Sequence, residues 1–157
     1  MAELPDSELA PRVRGLQILV VALLTGVAVI TGVAVYLQTA NLVVPTGDTW
    51  LSMVAVGFGA LMVILQLVVP RAVVEKARRE HARSAAPPGG DGHFLLTLYQ
   101  SRVLVGAALC EAGALAGVVA YLIEGNTQVL LLTLFMAGLL ALRYPSMGDV
   151  RTFLDVQ

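Results

Sequence analysis

Glu111 is the residue in this sequence whose type and position could do chemistry. It lies two residues from the midpoint of Val103–Ile123, a run that carries no other charge. A carboxyl at such a depth can carry a proton or a cation, or it can make one structural hydrogen bond between helices or subunits. The ionised form costs roughly 2.5–3.5 kcal/mol at the centre of a membrane helix, so an acid there needs a reason. No Lys or Arg lies at that height to pair with it. Counted along their own runs, Thr133 and Thr25 fall nearest, so Glu111, Thr133 and Thr25 form the candidate ion or proton site.

The same run carries a second kind of signal. At 100° per residue, Gly106, Gly113 and Gly117 fall within about 40° of one another, and Glu111 points roughly 140° away. Gly113 and Gly117 form a GxxxG pair, which lets backbones approach closely. Gly32 matches Gly117 in the first run, so Gly106, Gly113, Gly117 and Gly32 are the expected helix-packing positions. Two special faces on one helix suggest that one of them meets another subunit.

The remaining candidates exclude more than they propose. His81 and His93 have no third ligand nearby, and Cys110 is the only cysteine, so no metal site or disulfide is expected. There is no Walker loop, no Gly-x-Ser-x-Gly and no dinucleotide fingerprint, so neither an enzyme nor a cofactor is expected. No basic, aromatic-interleaved surface suggests a nucleic-acid partner. Gln17, Gln66 and the threonines in the runs read as helix-to-helix hydrogen bonders, and Asp48 and Trp50 as a loop acid and an interfacial anchor.

The elements that must hold these residues are membrane helices. The chain is 57% hydrophobic and 13% charged over 157 residues, where a soluble domain carries about 25% charged residues. Four uncharged or nearly uncharged runs, 16–37, 50–69, 103–123 and 125–142, are each long enough to cross a hydrocarbon core, which needs about 20 helical residues. None alternates with period two, and lipid offers a strand edge no partners, so the fold class is all-α. The expected layout is one domain. A cytoplasmic segment 1–13 precedes helix 1 over 15–37 and helix 2 over 49–70. A charged helical extension with a Pro/Gly linker covers 71–92. Helix 3 then runs over 93–123, helix 4 over 125–143, and a cytoplasmic tail closes at 144–157. In the extension, Glu75 with Arg79 and Lys76 with Glu80 are spaced for i,i+4 pairing. Tyr99 and Arg102 are expected at headgroup level.

All ten Lys and Arg residues fall before the first run, between the second and third, or after the fourth. The other two loops carry only Asp48 and Glu124. Positive loops stay inside, so both termini are expected in the cytoplasm. The acidic start and the length of the first run read as a retained span, not a cleaved signal. Richness in Ala, Val, Leu, Gly and Arg points to a high-GC bacterial genome, hence a bacterial inner membrane. The halves also resemble each other. With a shift of 85, Gly32, Tyr36 and Asn41 meet Gly117, Tyr121 and Asn126; with a shift of 75, Pro70 meets Pro145. This reads as two tandem helical hairpins in parallel orientation.

The stretch Leu109-Cys110-Glu111-Ala112-Gly113-Ala114-Leu115-Ala116-Gly117-Val118-Val119-Ala120 resembles the carboxylate helix of rotary ATPase c subunits (proteolipids). The resemblance implies an ion-carrying role for Glu111. In that family the hairpin loop is cytoplasmic and the carboxylate lies on the second helix of its hairpin; here the expected topology reverses both. Four spans with one buried Glu also resemble small multidrug transporters, whose Glu lies in the first helix. The leading expectation is a small multi-pass inner-membrane protein that forms a homo-oligomer or joins a membrane complex. The alternative is a proton- or cation-coupled transport component using Glu111.

Overall fold

The computed structural model describes residues 6–83 and 91–155, and all of its regular structure is helical. In chain order the helices are α1 (Asp6–Thr39), α2 (Trp50–Arg83), α3 (Asp91–Glu124), α4 (Val129–Ala141) and α5 (Met147–Asp155). Three of them, α1, α2 and α3, are long and apolar enough to cross a membrane, and α4 is a shorter apolar helix. Large side chains face outward along all four. Ile18, Met53, Ile64, Leu131 and Leu134 are each more than half exposed. Apolar faces of that extent belong against lipid, since a water-soluble chain would bury them.

The helix α3 is the hub. Its side chains meet α1 through Ala107, Ala114 and Val118, α2 through Ala120, and α4 through Ala114 and Ala116. Small residues dominate these contacts because three helices must approach one axis. A Cβ on Gly117 would lie 2.5 Å from Thr133 Oγ1, and one on Gly113 would lie 2.9 Å from the Met136 methyl. A Cβ on Gly106 would collide with the Arg143 guanidinium. These three glycines therefore admit α4 and Arg143, two residues beyond its end. A Cβ on Gly32 would meet nothing within 4 Å.

The two helices of the first half do not pack on each other: no Cα of α1 comes within 8 Å of α2. They form a hairpin in chain order only, with α3 between them. Even so, the ends of α1 and α3, at Thr39 and Glu124, are offset by 85 positions, as the sequence repeat is. The second helices differ. Where α2 runs straight through Pro70, the chain at Pro145 breaks, and α5 starts at Met147.

Several boundaries depart from those read in the sequence. Helix 1 is wider than 15–37, including Asp6 and ending at Thr39, whereas helix 2 continues to Arg83 as the expected helical extension. Helix 4, expected over 125–143, occupies Val129–Ala141. The physical reason is the turn before it. Gly125 takes a left-handed φ of 71° and ends α3, and Asn126 Oδ1 then accepts the Gln128 amide at 3.1 Å. Tight i→i−3 bonds from Val129 to Asn126 and from Tyr144 to Ala141 extend the winding at both ends. The tail contains a helix, α5, started by a capping box. Ser146 Oγ accepts the Asp149 amide at 3.1 Å, and Ser146 donates to the Asp149 carboxylate through N and Oγ. Val150 of α5 joins Leu9, Val13 and Tyr99 in the core. Tyr99 is therefore buried inside the bundle, because α5 folds back over it.

Candidate functional site

The polar residues of the spans separate into three places. At mid-height, Glu111 sits half-buried on an outward strip of α3, beside Leu104, Ala108, Leu115 and Val119. Leu104 and Val119 are 46% and 51% exposed, so the strip is open to the surroundings of the bundle. Glu111 makes no hydrogen bond or ion pair with any described residue. Thr133 and Thr25 do not complete a site with it. Thr133 Oγ1 donates to Ala114 O at 3.2 Å, across the face that holds Gly117. Thr25 Oγ1 donates to Val21 O of its own helix at 2.8 Å, on an exposed face. Thr31 does the same to Val27 O. Such back-bonding removes the hydroxyl from any neighbour.

The second place lies about midway along α2. Pro70 has no amide proton, so the carbonyl of Gln66, four residues earlier, loses its helical donor. In a membrane-spanning helix a freed carbonyl needs a partner from a neighbour. Arg143 supplies it: Nη2 lies 3.4 Å from Gln66 O and 3.5 Å from Gln66 Oε1. The guanidinium reaches that point over Gly106, the position with no side chain to block it. Cys110 Sγ donates to the same Oε1 at 2.9 Å. Gln66 and Cys110 are 6% and 1% exposed. This cluster is consumed in holding α2, α3 and the end of α4 together. Gln17 does similar work for α1, donating to Pro145 O at 2.9 Å.

The third place joins the ends of α3 and α2 at the opposite side of the bundle. The Glu124 carboxylate accepts the Leu51 amide at 2.5 Å, the Ser52 amide at 2.8 Å, and the Ser52 hydroxyl. These amides are among the first four of α2, which have no intrahelical acceptor. Asn126 donates to Ser52 Oγ at 3.2 Å. The carbonyls that end α3 are met in turn. Leu122 O accepts from Gln38 Nε2 at 2.7 Å and Ile123 O from the Thr46 amide at 3.1 Å. Pro45 lies against Gly125, where a Cβ would be 2.9 Å away.

Reading the sequence missed the roles of Glu124 and Arg143, both taken as loop or flanking charges. A signal was present for the first. A Glu in the last turn of a helix sits at the negative end of its own macrodipole, which is unfavourable unless another helix's positive end is near. For the second, the cue was Pro70 within an apolar run. Among the described residues no three His, Cys, Asp or Glu side chains come together as metal ligands. The side chains of His81 and His93 lie outside the described residues. The Glu75–Arg79 pair is formed, but both side chains are well exposed, so it contributes little. The chain matches no protein family, no characterised protein and no solved structure.

If Arg143 serves the carbonyl that Pro70 frees, the two residues are coupled. Arg143→Met is expected to destabilise the natural chain. In a Pro70→Ala background, where the helical bond to Gln66 O is restored, the loss should shrink by about 0.5–1.5 kcal/mol. Reversible unfolding in mixed micelles measures this, and equal losses in the two backgrounds would refute the coupling.

Proposed function

We propose that this chain is a small bacterial inner-membrane protein that crosses the bilayer four times, with both termini in the cytoplasm, and assembles through the outward strip of α3 that carries Glu111. The observation that carries the reading is Glu111 itself: a half-buried carboxyl, without a partner, on an otherwise apolar strip. The other polar groups of the interior have partners within the chain, as Gln66, Cys110 and Thr133 do. An acid left facing hydrocarbon is costly, and a donor on a neighbouring helix would relieve that cost. The neighbour is a second copy or another membrane subunit. The function is that of an assembly component, not of an enzyme.

The four-span reading is supported by the dimensions of α4. Its 13 regular residues rise about 20 Å, and the tight turns that extend it from Asn126 to Tyr144 bring the crossing to roughly 30 Å, the thickness of a hydrocarbon core. The orientation is supported by the placement of all ten basic residues. The alternative is a proton- or cation-coupled transport component using Glu111. It requires polar groups that lead to the carboxyl, and Thr25 and Thr133 bond elsewhere.

Topology is checked in a Cys110→Ala background. A cysteine at Asp48 should react with an impermeant maleimide from outside intact cells, and one at Ser146 only after lysis. The reverse pattern would refute the orientation.

Assembly is checked by mass measurement in lipid nanodiscs. The natural chain should carry more than one copy or a co-purified subunit. Glu111→Gln, which keeps a donor and an acceptor, should preserve the complex. Glu111→Leu should weaken it by about 1–2 kcal/mol, the range for an interhelical hydrogen bond in a membrane. A complex that is indifferent to both changes, together with ion flux abolished by Glu111→Gln, would favour the transport reading.

A further inference from the structure

We propose that the cleft between the start of α1 and α5 is a binding site for the phosphodiester headgroup of an anionic phospholipid. The cleft has a volume of about 490 Å³ and is lined by Ala10, Pro11, Val13, Arg14, Gln17 and Met147. That volume lies within the 300–1,000 Å³ of typical ligand pockets. The wall is apolar except for Arg14 and Gln17, and Gln17 Nε2 is already engaged by Pro145 O. Arg14 is exposed and forms no hydrogen bond or ion pair with a described residue, so its guanidinium is available. A planar fork of N–H donors matches two phosphate oxygens at once.

Depth selects the source of the phosphate. Arg14 stands two residues before Leu16, where the uncharged run begins, so its head lies at the level of lipid phosphates. The apolar walls suit the glycerol and upper acyl carbons of a lipid, which a free phosphate ion does not have. The fold also explains why a cleft exists there. Helix α5 is held against α1 and α3 by Val150, while its first residue, Met147, stands off far enough to leave space beside Pro11. Basic pockets of this kind on the cytoplasmic side suit anionic headgroups. The proposal rests on these helices lying in a bilayer. It does not need the strip at Glu111 to be an interface.

The test uses the full chain in detergent with added lipid, read by native mass spectrometry. Phosphatidylglycerol should be retained over phosphatidylcholine with the same acyl chains. Arg14→Gln should lower retention of phosphatidylglycerol about five-fold, as expected for one basic residue at an anionic surface, and leave phosphatidylcholine unchanged. Ala10→Phe, which fills the cleft but keeps the charge, should lower it too. Arg79→Gln, at an exposed position on α2, should leave it unchanged. Equal retention in the natural chain and both cleft variants would overturn the proposal. Displacement of the lipid by inorganic phosphate at millimolar concentration would overturn the assignment to a lipid. Because the measurement is made in detergent, a failed topology experiment would leave this result standing.

Discussion

The Glu124 carboxylate is the interaction on which the arrangement of helices depends. Lipid supplies no hydrogen bonds, so every helix end at its boundary must find partners in the protein or in headgroup water. The end of α3 and the start of α2 solve this for each other. Glu124 accepts two amides and a hydroxyl from α2, while Gln38 and Thr46 meet the last carbonyls of α3. The helix α2 gains no support from α1, from which it is separated. Its position comes from Glu124 at its start and from Gln66 with Arg143 at its middle. Between those two points it packs on α3 and α4 through small or flexible residues such as Ala55 and Met62.

A central helix with three neighbours has one face left over. Gly106, Gly113 and Gly117 turn toward α4 and Arg143. Ala107, Ala114 and Val118 turn toward α1. The remaining strip holds Glu111 among Leu104, Ala108, Leu115 and Val119. The glycine face, which the sequence offered as a possible subunit contact, is thus occupied within the chain. Its partner in that argument, the face with Glu111, is the one still open.

Much of the fold was legible because length and apolarity are long-range signals that survive any detail of packing. The offset of 85 between the halves is one example: read from Gly32, Tyr36 and Asn41 against Gly117, Tyr121 and Asn126, it reappears where α1 and α3 end, at Thr39 and Glu124. What stayed hidden depended on pairs far apart in sequence. The role of Glu124 needs Ser52, and that of Arg143 needs both Pro70 and Gly106. Pro70 and Pro145 illustrate the same limit. Pro70 remains inside α2, where Arg143 serves the carbonyl it frees; Pro145 lies in a break, with its own carbonyl held by Gln17. Local sequence is similar at the two sites, and the neighbours decide the outcome. The height of Thr25 and Thr133 was readable, but not that their hydroxyls turn to Val21 and Ala114.

Amide hydrogen exchange at Leu51 and Ser52 tests the Glu124 bridge most directly. These amides begin a helix at the membrane boundary and would exchange quickly if water were their partner. With Glu124 as acceptor they should be protected to the same degree as Ala55, one turn further into the helix. In Glu124→Ala they should lose that protection while amides at the middle of α1 keep theirs. Rapid exchange at both positions in the natural chain, or protection unchanged by Glu124→Ala, would contradict the account.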